Sequence, residues 1–141
     1  MVTNLVEVKN YDGQGYQSLV HFGSWRVAVL RFLDELNPDN IRTMERHTAT
    51  DEVFVLTKGK AMLITGGNKT DITDIQATEM AIGEVCNIKK NAWHTITLSQ
   101  DAHLIIIEND DTTRENTEYI LLPTHIQTEI RQFSRVYIHD Q

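Results

Sequence analysis

The chain has 141 residues, of which 40% are apolar and 23% charged, and its formal net charge is −7. These values are typical of one folded domain, expected to span 1–141, and the negative charge disfavours nucleic acid or an anionic membrane as the main partner. Cys86 is the only cysteine, so no intramolecular disulfide can form, and the absence of an evident secretory leader or bilayer-spanning run leads us to expect a cytoplasmic location.

Short runs of β-branched and aromatic residues, separated by turn residues, extend from about residue 16 to residue 122. Such runs predict β-strands. The sequence predicts strands over 25–33, 41–47, 52–57, 60–65, 69–80, 84–88, 93–99, 102–109 and 117–122. Turns are expected at 37–40, 57–60 and 66–68, where proline, asparagine and glycine are concentrated.

The C-terminal segment differs in kind. Thr124 can cap a helix in which three apolar residues share one face at helical spacing: Ile126, Ile130 and Phe133. We therefore predict a barrel over about 24–122 and a short helix over about 124–136. Many short strands with one terminal helix indicate a β-sandwich or barrel and not alternating β-α units.

Alternation along the predicted strands brings polar side chains to one face. Alternate residues of a strand point to the same side, so Glu45 and His47 share a face, and Glu52 begins the face that continues with Phe54 and Leu56. If His47 and Glu52 lie at the ends of neighbouring antiparallel strands, their side chains converge. Burying an unpaired carboxylate is costly, and a divalent cation would remove that cost because carboxylates and neutral imidazoles are its ligands.

His94 is the third candidate ligand. It begins the pattern His94, Ile96, Leu98, which places it on a core-like face. A single histidine in such a place is more often packed and hydrogen-bonded than bound to metal. The case for His94 as a ligand therefore depends on the other candidate ligands and on the glycine spacing. Trp93 adjoins it and is expected to pack in the core or at the rim, and its position makes it the candidate substrate-binding residue.

These positions resemble the two sequence motifs of the cupin superfamily. In the first, the stretch 45–52 contains a histidine and ends on a glutamate, which is followed after six residues by a glycine. In the second, a glycine precedes a histidine at the family's spacing, and 23 residues separate the glycines of the two motifs. Five of the ten signature positions are kept: His47, Glu52, Gly59, Gly83 and His94.

Five positions depart from the family's pattern. Asp39 replaces the first glycine, and Lys89 and Leu98 replace a proline and an asparagine of the second motif. Asn91 stands where that motif has glycine, and asparagine is one of the few residues that adopt left-handed backbone conformations readily. Glu45 replaces the first histidine. It is a fourth ligand, giving two carboxylates and two imidazoles, or a residue that faces the substrate and leaves three protein ligands, or a solvated surface glutamate on a barrel that has lost the site.

The resemblance implies an all-β fold, a cupin-type double-stranded β-helix or jelly-roll barrel. It implies a divalent ion held by His47, Glu52 and His94, with Glu45 as a fourth ligand. A mixed nitrogen and oxygen set suits Mn, Fe, Zn or Ni. The family contains isomerases, lyases and dioxygenases, so the resemblance implies a small enzyme for a sugar, sugar acid, keto acid or diketone. In such an enzyme Glu45 or Glu52 would be catalytic and accept a proton.

Two other functions stay open at this point. One is a non-catalytic cupin that binds a small ligand, for storage or as a sensor. The other is a metal-free barrel that serves as a dimeric scaffold. A homodimer is expected in any case, because the stretches 25–33 and 104–107 are apolar on both faces and one of those faces needs a cover.

Overall fold

The computed structural model describes residues 4–139, which form two facing antiparallel sheets and a C-terminal helix. Within this range there are ten strands: β1 (Tyr16–Phe22), β2 (Trp25–Arg31), β3 (Thr43–His47), β4 (Glu52–Lys58), β5 (Ala61–Thr65), β6 (Gln76–Glu79), β7 (Val85–Ile88), β8 (His94–Leu98), β9 (His103–Asn109) and β10 (Thr117–Leu121). Short 3-10 helices occupy Asp34–Leu36, Pro38–Asn40 and Arg114–Asn116, and helix α1 spans Thr124–His139. No helix of residues 4–139 is long and apolar enough to cross a membrane.

The chain alternates between the two sheets. Sheet A has the strand order β1-β2-β9-β4-β7, and sheet B has the order β10-β3-β8-β5-β6. Most strands that follow one another lie in different sheets, as β3 and β4 do, whereas β1 and β2 are neighbours in sheet A and β5 and β6 in sheet B. This repeated crossing between the sheets is the jelly-roll arrangement. The segment 48–51 carries the chain from sheet B to sheet A, so the end of β3 and the start of β4 meet across the interior.

Two apolar clusters hold the layers together. The first fills the space between the sheets with inward-facing residues of β2, β4, β5, β7, β8 and β9, for example Phe54 and Leu56 on β4 and Leu104 and Ile106 on β9. The second lies on the other side of sheet B, under α1. It contains Met44, Met62, Ile64 and Ile130, with Ile126 and Phe133 packed against them. Burying each such side chain stabilises the fold by about 1.5–3 kcal/mol.

The predicted all-β jelly roll with a C-terminal helix is confirmed. The expected strand over 69–80 is corrected, because only Gln76–Glu79 pairs as a strand. The apolar residues that suggested a longer strand are Ile72 and Ile75. They lie in the loop before β6 and pack against the apolar cluster under α1. Strand β1 was not predicted; it is a partly exposed edge strand whose register is irregular between Ser18 and Val20, so its inward and outward faces do not alternate strictly. Helix α1 also continues to His139, beyond the predicted end at 136.

Turns with a left-handed backbone occur where the sequence motifs have their glycines. Gly59, between β4 and β5, has φ +79, and Gly83, before β7, has φ +88. Asn91, in the turn before β8, has φ 70. Asparagine therefore takes the conformation that the motif reserves for glycine, as predicted.

We expect Gly59→Ala to destabilise the fold more than Gly83→Ala. Both alanines would carry the strain of a positive φ, about 1 kcal/mol or more. A Cβ at position 59 would lie 2.7 Å from the Cα of Ala102, whereas a Cβ at position 83 would have no atom within 4 Å. Urea unfolding should therefore show a further loss of about 1–3 kcal/mol for Gly59→Ala. Equal losses for the two variants would contradict a close approach of the turn that contains Ala102.

Candidate metal centre

Five polar side chains meet in the interior between the two sheets. Sheet B supplies Glu45 and His47 from β3 and His94 from β8, and sheet A supplies Glu52 from β4 and Glu108 from β9. Four of them are buried, with exposed fractions of 8% for His47, 5% for Glu52, 3% for His94 and 6% for Glu108. The site therefore depends on both sheets, and the crossing between β3 and β4 brings its first members together.

The two predicted histidine ligands converge on one carboxylate oxygen of the third predicted ligand, Glu52. Oε1 of Glu52 lies 3.1 Å from Nε2 of His47 and 3.1 Å from Nε2 of His94. Glu45 pairs with His94 in the β3–β8 register, and its Oε1 lies 3.9 Å from Nε2 of His47. Because the side chain of Glu45 is 39% exposed, it lies on the solvent side of the cluster.

The second ring nitrogen of each histidine is also engaged. Nδ1 of His94 lies 2.9 Å from the carbonyl oxygen of Ala92, which can only accept, so Nδ1 carries the hydrogen. Nδ1 of His47 is hydrogen-bonded to the hydroxyl of Thr117, its cross-strand partner on β10, at 2.9 Å. Such bonds fix the ring orientation and direct the other nitrogen, as around metal-bound histidines.

A neutral His94 ring thus presents a bare Nε2 acceptor to Oε1 of Glu52, which is also an acceptor. Two acceptors 3.1 Å apart repel each other unless a proton or a cation lies between them. The structure therefore requires a positive charge at this point.

Hydrogen bonds between the loops keep the two motif segments in place. The backbone N–H of Asn91 donates to the carbonyl oxygen of His47 at 2.9 Å. The carboxylate of Asp51, in the crossing between β3 and β4, accepts from the backbone N–H of Lys90 at 2.8 Å and from the side chain of Asn87 at 3.1 Å. The turn before His94 is therefore tied directly to the segment that joins His47 to Glu52.

Without a metal ion, protons supply the positive charge of the cluster. Burial acts to lower the pKa of His94, but Glu52 and the Ala92 carbonyl raise it above its ordinary value. The pKa of His47 is raised in the same way, against the effect of burial, by Glu52 and Glu45. Burial acts to raise the pKa of Glu52, but the two histidines lower it to about 2. The metal-free site is therefore an ion-paired cluster centred on the Glu52 carboxylate.

Glu108 was not predicted from the sequence. Its Oε1 accepts hydrogen bonds from the Tyr16 hydroxyl at 2.8 Å and from Nη2 and Nε of Arg26 at 2.8 and 3.3 Å. Its Oε2 is buried and has no hydrogen-bond partner among the described residues. Leaving a buried acceptor unpaired costs about 1–3 kcal/mol. Burial and the nearby Glu52 raise the pKa of Glu108.

A signal for Glu108 was present in the sequence. On β9 the inward face reads Leu104, Ile106, Glu108, so a carboxylate follows two core residues at strand spacing. On β2 the same face begins with Arg26, the partner of Glu108. A charged residue on an otherwise apolar inward face is the pattern that identifies Glu52 beside Phe54 and Leu56, and the same pattern on β9 and β2 marks Glu108 and Arg26.

A cavity of about 560 Å³ opens over the cluster. Its lining includes Glu45, His47, Glu52 and Glu108, and apolar walls such as Phe54 complete it. A second hollow of about 410 Å³ reaches Glu45 and His94 from beside β3. Volumes of this size suit a small molecule. Glu45 is thus accessible from both hollows.

Trp93 is not brought to this cavity. Its side chain is 3% exposed and packs in the cluster under α1, on the outer side of sheet B. The ring lies beneath the Arg46 guanidinium, whose carbon is 4.3 Å from the ring centroid, and its Nε1 donates to the carbonyl of Lys69 at 2.8 Å. Trp93 therefore packs in the core, as expected. Its role in substrate binding stays a prediction, and its distance from the cavity does not support it.

Two overlapping groups of donor atoms lie close enough together to hold an ion. One group is Glu45, His47 and His94, and the other is His47, Glu52 and Glu108. Within each group the donor atoms lie within 4.8 Å of one another. Imidazole nitrogens and carboxylate oxygens in this number fit a divalent transition-metal ion.

No family model matches the sequence, and no curated protein is detectably similar to it. Solved structures do resemble the fold. A cupin-2 domain protein from Shewanella frigidimarina superposes with a TM-score of 0.50 at 17% identity, over 70% of this chain and 84% of that one. A Streptomyces PAC13 variant solved with uridine gives 0.55 at 6% identity, over 86% and 88% of the two chains.

A further similar structure is the capsular polysaccharide assembling protein CapF from Staphylococcus aureus. It gives a TM-score of 0.55 at 17% identity, over 80% of this chain but 31% of that one. At such identities a likeness concerns the fold and not the activity. The chain has the cupin fold.

In the metal-free protein, we expect His94→Gln to destabilise the fold most between pH 4.5 and 6.5, the ordinary pKa values of glutamate and histidine. The pKa of His94 is raised on folding, so its contribution is complete below pH 6.5 and is lost as the pH rises through the folded-state value. The pKa of Glu52 is lowered, so its contribution is complete above pH 4.5 and is lost as the pH falls towards about 2.

The measurement is urea unfolding of chelator-treated wild type and variant across a pH series. His125→Gln, which replaces an exposed histidine on α1, is the matched control. A destabilisation by His94→Gln that stays constant from acidic to alkaline pH would contradict the ion-paired cluster.

Proposed function

We propose that this protein is a metal-dependent cupin enzyme that acts on a small polar metabolite. A divalent ion held by His47, Glu52 and His94 forms the reaction centre. The observation that carries the proposal is the contact between Nε2 of His94 and Oε1 of Glu52, two acceptors 3.1 Å apart. A metal ion satisfies both atoms and the buried His47 beside them, and it removes the cost of a buried carboxylate.

The roles of the two predicted catalytic carboxylates differ. Bound at this site, a divalent ion supplies Lewis acidity to an oxygen of the substrate or of water. Glu52 is buried and points at both histidines, which favours a ligand. Glu45 lines the cavity, and burial raises its pKa above the ordinary value despite the nearby histidines. A carboxyl group with a raised pKa next to a substrate cavity is suited to accept and return a proton.

The cavity supports a small polar substrate. At about 560 Å³ it has room for a molecule of metabolite size, and its lining combines carboxylates and Arg114 with apolar walls. Among similar structures, one was solved with uridine and another is named for assembling a capsular polysaccharide. The proposed substrate stays a sugar, sugar acid, keto acid or diketone. The choice among isomerase, lyase and dioxygenase chemistry stays a prediction, as does the cytoplasmic location.

A second candidate function is the non-catalytic binding of a small ligand. The observation that favours it is the number of donor side chains, five in the two groups around His47. An ion that is fully surrounded by protein ligands has no open position for a substrate. Turnover in a screen of sugars and sugar acids with the metal-loaded protein would exclude this alternative, and tight binding without turnover would support it.

We expect His47→Ala to abolish stoichiometric metal binding while the protein stays folded. The loss of one imidazole should weaken binding by more than about 100-fold, since even outer-shell changes cost 10–100-fold. Glu45→Gln should weaken binding less, by under about 10-fold, if Glu45 serves the substrate. Elemental analysis and titration calorimetry measure both effects.

Glu118→Gln is the control for that series, because it removes an exposed carboxylate whose partner is Arg46. Wild-type protein that is produced with metals supplied and contains no ion would contradict the metal site.

We also propose a homodimer formed through the outer face of sheet A. Trp25, Val27, Ile107, Val55 and Val85 share this face in the strand register. Exposed fractions of 43% for Trp25, 40% for Ile107 and 70% for Val85 leave an apolar surface open to solvent. An apolar face of this kind is suited to a second copy of the same face.

We expect light scattering to give twice the chain mass of 16.2 kDa for the wild type. Ile107→Lys should give the monomer mass, because a charge would be buried at the centre of the interface. Val136→Lys, at an exposed apolar residue of α1, is the control and should stay dimeric. A wild-type mass of 16.2 kDa at high protein concentration would contradict the dimer.

A further inference from the structure

We propose that Glu108 is a ligand of the same ion, through its Oε2 atom, and that Arg26 and Tyr16 are positioning residues that present this atom to the metal. The inference rests on the proposed metal site. It adds a ligand that lies outside both sequence motifs, on β9 of sheet A.

The two oxygens of Glu108 have unequal surroundings. Oε1 accepts three hydrogen bonds, two from Arg26 and one from Tyr16. Oε2 is buried and has no partner among residues 4–139. An arginine that only neutralises a carboxylate usually engages both oxygens with two parallel bonds. Here both Arg26 bonds go to one oxygen, so the other is left for a different positive charge.

Arg26 is fixed in this one-sided position by the backbone. Its Nη1 donates to the carbonyl of Asp110 at 3.1 Å, and its Nη2 donates to the carbonyl of Thr112 at 3.0 Å. The guanidinium therefore cannot swing towards Oε2 without losing these bonds. The hydroxyl of Tyr16 approaches Oε1 as well. Three donors hold Oε1, which leaves Oε2 as the free oxygen of a carboxylate that forms a donor group with His47 and Glu52.

The two donor groups describe one ion and not two. They share His47, whose Nδ1 is already hydrogen-bonded to Thr117, so only the single lone pair of Nε2 is available to a metal. One ion at Nε2 of His47 then has Glu45 on the solvent side and Glu108 on the sheet A side. Carboxylate-rich sets suit Mn²⁺ better than Zn²⁺, which favours four ligands in a tetrahedron.

The test is titration calorimetry of Mn²⁺ into chelator-treated protein. We expect one ion per chain for the wild type. Glu108→Gln keeps the size of the side chain and an acceptor for Arg26, and we expect it to weaken Mn²⁺ binding by about 10- to 100-fold. Glu108→Asp keeps the negative charge but withdraws it by one methylene, and we expect weakened binding here too. Glu118→Gln, which removes an exposed carboxylate, should bind as the wild type does.

The positioning role has its own readout. Tyr16→Phe should weaken Mn²⁺ binding in the wild type but not in the Glu108→Gln background, because its effect passes through Glu108. A merely structural role would give the same loss in both backgrounds, and that result would overturn it.

The outcomes separate this inference from the proposed function. If the wild type binds Mn²⁺ and Glu108→Gln binds it equally well, Glu108 is not a ligand and the motif site stands. If Glu108→Asp binds Mn²⁺ as tightly as the wild type does, Glu108 contributes only its negative charge and not a ligand atom, and the inference is overturned. A wild type that binds two ions overturns the single centre. A wild type that binds none overturns both proposals.

Discussion

The structure depends on a contact that cannot exist without a positive charge, the approach of His94 Nε2 to Glu52 Oε1. The Ala92 carbonyl fixes the hydrogen of the ring on Nδ1, and the sheet interior removes the water that would otherwise separate the two acceptors. Protons meet this requirement in the metal-free protein, and a divalent ion would meet it better, because it can bind both atoms at once. The interior of the barrel is thus built around an obligatory charge and not around apolar packing alone.

Much of the remaining fold keeps that contact in place. The left-handed turn at Asn91 directs the chain into β8, and its N–H donates to His47. Asp51 joins the same turn to the crossing between the sheets. The apolar cluster between the sheets surrounds the site on its inner side, with Phe54 and Ile106 as walls of the cavity. Polar and apolar parts therefore act together, because the apolar walls exclude water from the inner side of the charged cluster, where its own contacts must satisfy the buried groups.

Sequence patterns predicted the fold and the first members of the site because both depend on local signals. Strand alternation placed Glu45 and His47 on the inward face, and glycine spacing identified the turns. The residues that escaped prediction act through contacts between distant segments. Glu108 and Arg26 are paired across β9 and β2, and no short motif contains both. Trp93 shows the opposite difficulty, since a strand neighbour of a ligand points to the other face and hence away from the cavity.

The crossing of the chain between β3 and β4 also bears on the order of events during folding. His47 and Glu52 are near neighbours in sequence, yet one ends a strand of sheet B and the other begins a strand of sheet A. Neither residue is oriented until both sheets exist, and His94 and Glu108 come from strands made later in synthesis. An emerging chain therefore has no preformed chelating segment. A metal ion bound at this site would therefore be taken up late, after the two sheets have closed.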